Sequence, residues 1–281
     1  MKLSFSCSCR ELLQERPGTG ETVSSLTELK NENCLLASLP REDYERLAPH
    51  LKPVELKLRE TLHHPHEPIR SVYFPNRGSI ISIVALSEDG TTIEIGVVGH
   101  EGMTGISIFM GVESTPNQAI VQLSGGGGMR ISADVLRAEF SRGGALQRAL
   151  LRYMHALFTQ VSQTAVCNRL HTVEERLIRW LLMSHDRAGS DDLHLTQEFI
   201  AQMLGTRRAG VTIAAGTLQQ AGLITYPSRA HQDSRPRKFR KLGVRMLPGS
   251  QRRLRPHIQV TANYRASRCS AINRASNFLN F

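Results

Sequence analysis

The chain has 281 residues and a hydrophobic content of 40%, enough for two domains of ordinary size with cores of their own. It has no apolar run of the roughly 20 residues that span a membrane and no secretory leader in MKLSFSCSCRELLQERPGTGE, so a cytoplasmic protein without a membrane partner is expected. The net charge of +10 is not spread over the molecule: residues 227–281 hold 13 Lys and Arg against the single Asp233, while the rest carries 22 basic and 24 acidic groups.

Residues 1–34 are expected to be poorly ordered at the start. The five cysteines, Cys7, Cys9, Cys34, Cys167 and Cys269, are odd in number and scattered, which suits free thiols better than a disulfide framework. Cys7 and Cys9 form only a C-x-C without a second close pair, and His63, His64 and His66 surround Pro65 in what reads as a solvated turn. Neither set predicts a metal, and no residue pattern calls for a cofactor.

Residues 35–143 read as an antiparallel β-roll. Short β-rich runs fall at 72–74, 79–86, 91–98 and 119–123, and Glu88, Asp89 and Gly90 give a hairpin signal between the second and third. Gly99, Gly102 and Gly105 punctuate a loop that a small ligand could approach closely, although a glycine in a tight turn has the simpler explanation. The four glycines at 125–128 lack the Lys-Ser/Thr ending of a phosphate loop and read as a hairpin turn. No paired carboxylates or Ser/His/Asp arrangement suggests catalysis, so an enzyme is not expected.

Residues 144–171 read as one long helix. Leu146, Leu150, Tyr153, Leu157, Val161 and Thr164 recur at alternating steps of four and three, the repeat of a coiled-coil seam. The seam is expected to meet a second chain, with Met154, Phe158 and Ala165 covering the β-roll; a helix packed on its own domain is the alternative. A second helix, 173–184, carries Trp180 with Leu177, Leu181 and Leu182 as its core face.

Residues 195–224, LTQEFIAQMLGTRRAGVTIAAGTLQQAGLI, read as two short helices joined at Gly205, the spacing of a helix-turn-helix. Thr196 can cap the first, whose apolar face is Phe199, Ile200, Met203 and Leu204. The second opens on Thr206, Arg207 and Arg208, so guanidinium groups stand where a recognition helix meets base edges, with Val211, Ile213 and Leu218 expected to pack inward. The DNA-binding set read from this stretch is Thr196, Gln197, Thr206, Arg207, Arg208, Gly210, Val211 and Thr212.

The order of these parts, a glycine-punctuated β-roll, a long helix, a short helix and LTQEFIAQMLGTRRAGVT, resembles the Crp/Fnr family of bacterial transcription regulators over roughly residues 35–226. The resemblance implies an α+β chain: a cyclic-nucleotide-binding-like roll (35–143), a dimerisation helix (144–171) and a helix-turn-helix domain (172–226). Its implied partners are double-stranded DNA, a second copy of the chain and RNA polymerase. Two recognition helices would then enter successive major grooves about 34 Å apart.

Several positions depart from the family pattern. Where the family has a Ser/Arg/Glu run, this chain has Arg207, Arg208 and Ala209; Arg208 keeps the guanine-reading place, but Ala209 cannot accept from cytosine, so an altered operator is expected. In the sensor, the places of the family's ribose-binding Glu and phosphate-binding Arg-Ser pair look like Ile106 and Asn117-Gln118. With Gly102 and Gly105 these form the candidate effector pocket, and without a cation they predict no useful cAMP binding. The effector itself is unspecified.

The family continues with a β-hairpin wing, whereas residues 227–281 read as a basic irregular tail without strand alternation. Back-translated with permitted codons and read one nucleotide later, this stretch can give RAGHIKILDRESFENLACECYR, in which HIKIL has the period-two pattern of a wing strand. A shifted frame from about Pro227 is therefore one reading, and a basic extension that binds DNA nonspecifically is the other. For the whole chain, two readings compete with a DNA-binding regulator: a ligand-sensing module whose helical end binds a protein, and an enzyme with a cupin-like roll. The last would want a His/Glu metal set on its strands, where 91–98 offers only Glu94.

Overall fold

The computed structural model describes residues 32–88, 90–225 and 244–246. The chain enters through two short helices, α1 (Cys34–Ala37) and α2 (Arg41–Leu47), which precede the first strand. Asn33 caps α1: its side-chain oxygen accepts from the Leu35 and Leu36 amides at 3.1 and 3.2 Å, while its Nδ2 donates to the Pro75 and Gly102 carbonyls. One buried amide thus ties the entry helix to the end of the strand Ser71–Pro75 and to the loop at Gly102.

The roll is built from two antiparallel sheets. One has the order β1 (Lys52–Val54), β7 (Gly128–Ser132), β3 (Ser71–Pro75); the other has β2 (Thr61–His63), β6 (Gln118–Leu123), β4 (Ile80–Leu86), β5 (Thr92–Val98). The four strands legible as apolar runs are present within a residue at each end. β1, β2 and β7 were not legible: β1 contains a proline and is exposed at two of its three positions, and β7 begins in the glycine run. That run packs so tightly that a Cβ on Gly125 or Gly128 would lie 2.9 Å from Gly78 O or 2.7 Å from Phe74 O.

Helix α3 (Ala133–Ser141) leads to the long helix α4 (Gly144–Leu170). Here the two apolar stripes expected of α4 exchange places. Leu146, Leu150, Tyr153 and Leu157 are buried in the chain's own core with Val72, Phe74, Met129 and Ile131, so they form no free seam. Val161 faces the same way, since a Cβ on Gly96 of β5 would touch Leu157 and Val161 at 3.5 Å each. Thr164 is engaged internally as well, donating to the Gln160 carbonyl at 3.0 Å. Phe158, expected to cover the roll, is 71% exposed, and Leu151 and Leu170 are exposed with it. The stripe with the larger and more continuous side chains wins the core because it removes more apolar surface from water.

Helix α5 (Val173–Ala188) starts in a capping box, Thr172 Oγ1 accepting from the Glu175 amide and Glu175 accepting from the Thr172 amide at 2.8 Å. It is followed by β8 (Asp192–Leu193), α6 (Gln197–Leu204), α7 (Arg208–Gln220) and β9 (Ile224–Thr225). A last strand, β10 (Val244–Met246), inserts between β8 and β9 to complete a three-stranded antiparallel sheet. The expectation of an irregular tail is corrected over these three residues. Met246 is buried in the core of the C-terminal helices, and one apolar anchor with two strands needing backbone partners is enough to hold so short a strand. The other tail residues, and the shifted-frame reading of them, lie outside the described residues.

That C-terminal core is shared with the roll. Ile80, Val84 and Val97 of β4 and β5 join Leu177, Trp180, Leu181, Ile200, Met203, Val211 and Leu218 in one buried cluster. Among the described residues no helix is long and apolar enough to cross a membrane.

Candidate nucleic-acid interface

Helices α6 and α7 form the expected pair. Thr196 Oγ1 accepts from the Phe199 amide at 3.1 Å and caps α6, whose buried face is Ile200, Ala201, Met203 and Leu204. Gly205 ends the helix at φ 58°, ψ 46°, a left-handed conformation that glycine enters without a Cβ penalty. A side chain there would also press on Ile93 of β5, 2.9 Å from its Cγ1. The turn is then closed by the Thr206 amide donating to the Ala201 carbonyl at 3.0 Å.

Arg207 occupies the N-cap of α7 without a side-chain cap bond, and no acid lies in the first turn. The amide dipoles and two arginines therefore put positive charge at one end of the helix, suited to a polyanion. Arg207 and Arg208 are both exposed, and Arg208 Nε stands 3.9 Å from Glu198 Oε2 across the turn, an exposed pair that orients the guanidinium without holding it firmly. Thr212 Oγ1 lies 3.0 Å from Gln197 Oε1 and 3.0 Å from the Arg208 carbonyl, so its proton is committed to one of them. Gln197, Glu198, Arg208 and Thr212 thus converge at the N-terminal ends of the two helices.

One member of the expected DNA set belongs elsewhere. Val211 is fully buried with Ala214, Ala215 and Leu218, which makes it core rather than contact surface. Gly210 is half-buried, facing Thr206 Oγ1 at 3.4 Å and Val173 beyond it. Conversely, Ile213 does not pack inward: it is 72% exposed. The buried stripe runs 211, 214, 215, 218, the helical spacing, and position 213 lies about 200° around the helix from 211.

The expected effector pocket is largely filled. A Cβ on Gly102 would overlap the Tyr153 ring, and the Tyr153 hydroxyl donates to the Met103 carbonyl at 2.7 Å. Gly105, at φ 76°, lies against Val72, Ile69 and His63, and Ile106 begins a single 3-10 turn over 106–109. Gln118 Nε2 donates to Thr61 Oγ1 at 3.0 Å, and the Asn117 amide donates to Thr115 Oγ1. The Gln118 side chain is thus spent on β2, and the Asn117 amide on its own turn. His63, read as part of a solvated turn, is buried; desolvation pulls it down to about 4, and its Nε2 meets Thr104 Oγ1 at 2.9 Å as a neutral ring.

Sequence reasoning missed the polar junction between the roll and α5. Glu94, buried on β5, accepts from Trp180 Nε1 at 2.8 Å and lies 2.6 Å from Ser82 Oγ. Arg187 is paired with Glu101 at 2.6 Å, both largely buried, and donates to the Met183 carbonyl at 3.1 Å. Arg176 donates to the Leu204 carbonyl and Gln202 Nε2 to Thr92 Oγ1 at 2.6 Å, so α6 is held from α5 on one side and from β5 on the other. The signal that could have found Glu94 is an acid alone in an apolar strand run, TIEIGVV.

Residues 175–233 match the model of the Crp-like helix-turn-helix domain. No curated protein matches the chain. Among solved structures, a chain from Eubacterium rectale assigned to the crp/fnr family of transcriptional regulators is 16% identical, with a TM-score of 0.57 over 80% of this chain and 97% of that one. FixK2 from Bradyrhizobium japonicum is 15% identical, with a TM-score of 0.56 over 75% and 99%. TTHB099, a CRP-family transcriptional regulator from Thermus thermophilus, is 17% identical, with a TM-score of 0.54 over 73% and 95%. A Crp-like helix-turn-helix domain is therefore carried here on the fold of the Crp/Fnr transcription regulators.

Proposed function

We propose that the protein is a dimeric, sequence-specific DNA-binding transcription regulator whose sensor domain does not use cAMP. The observation that carries this is the N-terminal end of α7, where Arg207 and Arg208 stand exposed one turn ahead of the buried stripe 211, 214, 215, 218. Arg208 is the residue for a guanine edge, and Gln197 and Thr196 are placed for phosphates at the start of α6. Dimerisation uses the outward stripe of α4, where Leu151 and Phe158, two turns apart, are exposed on one face of a long helix. A second α4 laid against this stripe would bury what is otherwise a solvated apolar strip.

The sensor reading rests on Tyr153 against Gly102 and on the absence of a cation at Asn117-Gln118. The tail from about Pro227 enters as the product of a shifted frame, in which the native wing strand would follow β9 closely. Selection of bound sequences from a random DNA pool tests the function. A palindrome is expected, and Arg208→Ala should cost about 1 to 3 kcal/mol at one base position of each half-site. A flat selection would overturn the DNA reading in favour of a protein partner at the helical end. Calorimetry with cAMP should give no binding heat.

A further inference from the structure

Ile213 is the most exposed large apolar side chain among the described residues, and it sits in the middle of α7 on the side opposite the buried stripe. Helical spacing puts Ala209 one turn before it and Gly216 and Gln220 about a turn or two after it on that same side. Ala209 is exposed, and a Cβ on Gly216 would meet open space. The outermost strip of the helix is thus a single branched hydrocarbon flanked by small residues, and the Arg207 and Arg208 cations stand at the N-terminus of the same helix, more than a quarter turn around from it.

This arrangement is poorly suited to water and well suited to one feature of a major groove. Base edges there present hydrogen-bonding groups throughout, except for the C5-methyl of thymine. Small neighbours let the helix axis approach the groove floor, and Ile213 is then the longest group on the approaching side. We infer that Ile213 reads the methyl group of a thymine in each half-site, making it a specificity-determining residue alongside Arg208. The inference rests on the DNA-binding reading above. Ile213 lies about 7.5 Å along the helix axis from Arg208 and about 140° around it, so the thymine should fall at a different base pair of the half-site from the one that Arg208 reads.

Uracil in place of thymine removes the methyl and nothing else. On the site returned by selection from a random pool, each thymine is replaced singly by deoxyuridine, and binding is measured for the wild-type chain, Ile213→Val and Ile213→Ala. Burial of one methyl group is worth about a four-fold change in affinity. One thymine per half-site should therefore cost the wild-type chain about four-fold on replacement, cost Ile213→Val nearly as much, and cost Ile213→Ala nothing. The variants should keep the wild-type melting temperature, because the side chain is solvated in the free protein. A site that depends on Arg208 but shows no uracil-sensitive thymine coupled to Ile213 overturns this inference and leaves the DNA reading standing. A pool that returns no site removes both.

Discussion

Ser82 has one hydroxyl proton and two acceptors within reach, Glu94 Oε2 at 2.6 Å and Gln122 Oε1 at 2.9 Å. With Glu94 ionised, one of these contacts has no proton. With Glu94 protonated, Glu94 donates to Ser82, Ser82 donates to Gln122, and Gln122 Nε2 donates to Ser184 Oγ at 3.0 Å, so the chain of bonds from the roll to α5 is complete. Burial pushes the Glu94 carboxyl up to about 7, against the opposing pull of Ser82, Trp180, Arg187 and Arg179. A carboxyl raised in this way binds its proton more tightly folded than unfolded, so stability falls as pH rises from 4.5 through about 7 and is level outside that window. The full loss is on the order of 3 kcal/mol. Glu94→Gln should remove this slope, and melting curves from about pH 5 to 8 check it. The buried His63 and His100 gain stability as pH rises towards 6.5, so the difference between wild type and variant isolates Glu94. Parallel curves would rule the assignment out. At Gly205 the expected effect is steric: Gly205→Ala adds a left-handed strain of about 1 to 2 kcal/mol and pushes on Ile93, lowering the melting temperature by several degrees. Ile93→Ala in the same chain should return part of that loss.

At the scale of elements, periodicity made α4 to α7 and four of the ten described strands legible, but not α1, α2 or α3, and it did not say which way the helices face. For the second helix of the pair the sequence reading puts Val211, Ile213 and Leu218 inward, whereas the structure buries Val211 and Leu218 with the small Ala214 and Ala215 and leaves Ile213 in water. The spacing already contained the correction, since positions two apart on a helix cannot share a face. Helix α4 is different, because both of its stripes are apolar and repeat at helical spacing. The larger stripe takes the core only because the roll offers a surface that fits it, and that fit is tertiary information. The consequence is measurable in the assembly. Phe158→Asp should yield a folded monomer by sedimentation, because a charge on the outward stripe opposes a second α4 but touches no core contact. Leu150→Asp should instead collapse the fold, since it buries an unpaired carboxylate in the apolar core that holds Phe74 and Ile131. A Phe158→Asp chain that still sediments as a dimer would place the dimer interface elsewhere.

For the whole molecule the last strand carries the tension. β9 and β10 are hydrogen-bonded neighbours, yet residues 226–243 separate them in sequence, where antiparallel neighbours are usually joined by about two to five residues. In the shifted frame, HIKIL would supply an alternating strand within a few residues of Thr225, at the length a hairpin wing needs. That frame also carries as many acidic as basic residues, whereas the present tail has 13 Lys and Arg against one Asp. The two chains should therefore differ on DNA in opposite directions. The present one should bind random DNA with a steep dependence on salt, each neutralised phosphate adding about 0.9 to the slope. A chain with the frame restored at codon 227 should lose most of that slope and gain preference for the selected site over random sequence by about ten-fold or more, because a wing positions the domain while a basic tail only attracts it. The nucleotide sequence around that codon is the prior check: an early stop in the shifted frame, or no wing-like strand encoded there, makes the basic tail a genuine part of the protein. In that case truncation after Met246 should weaken binding to all sequences alike.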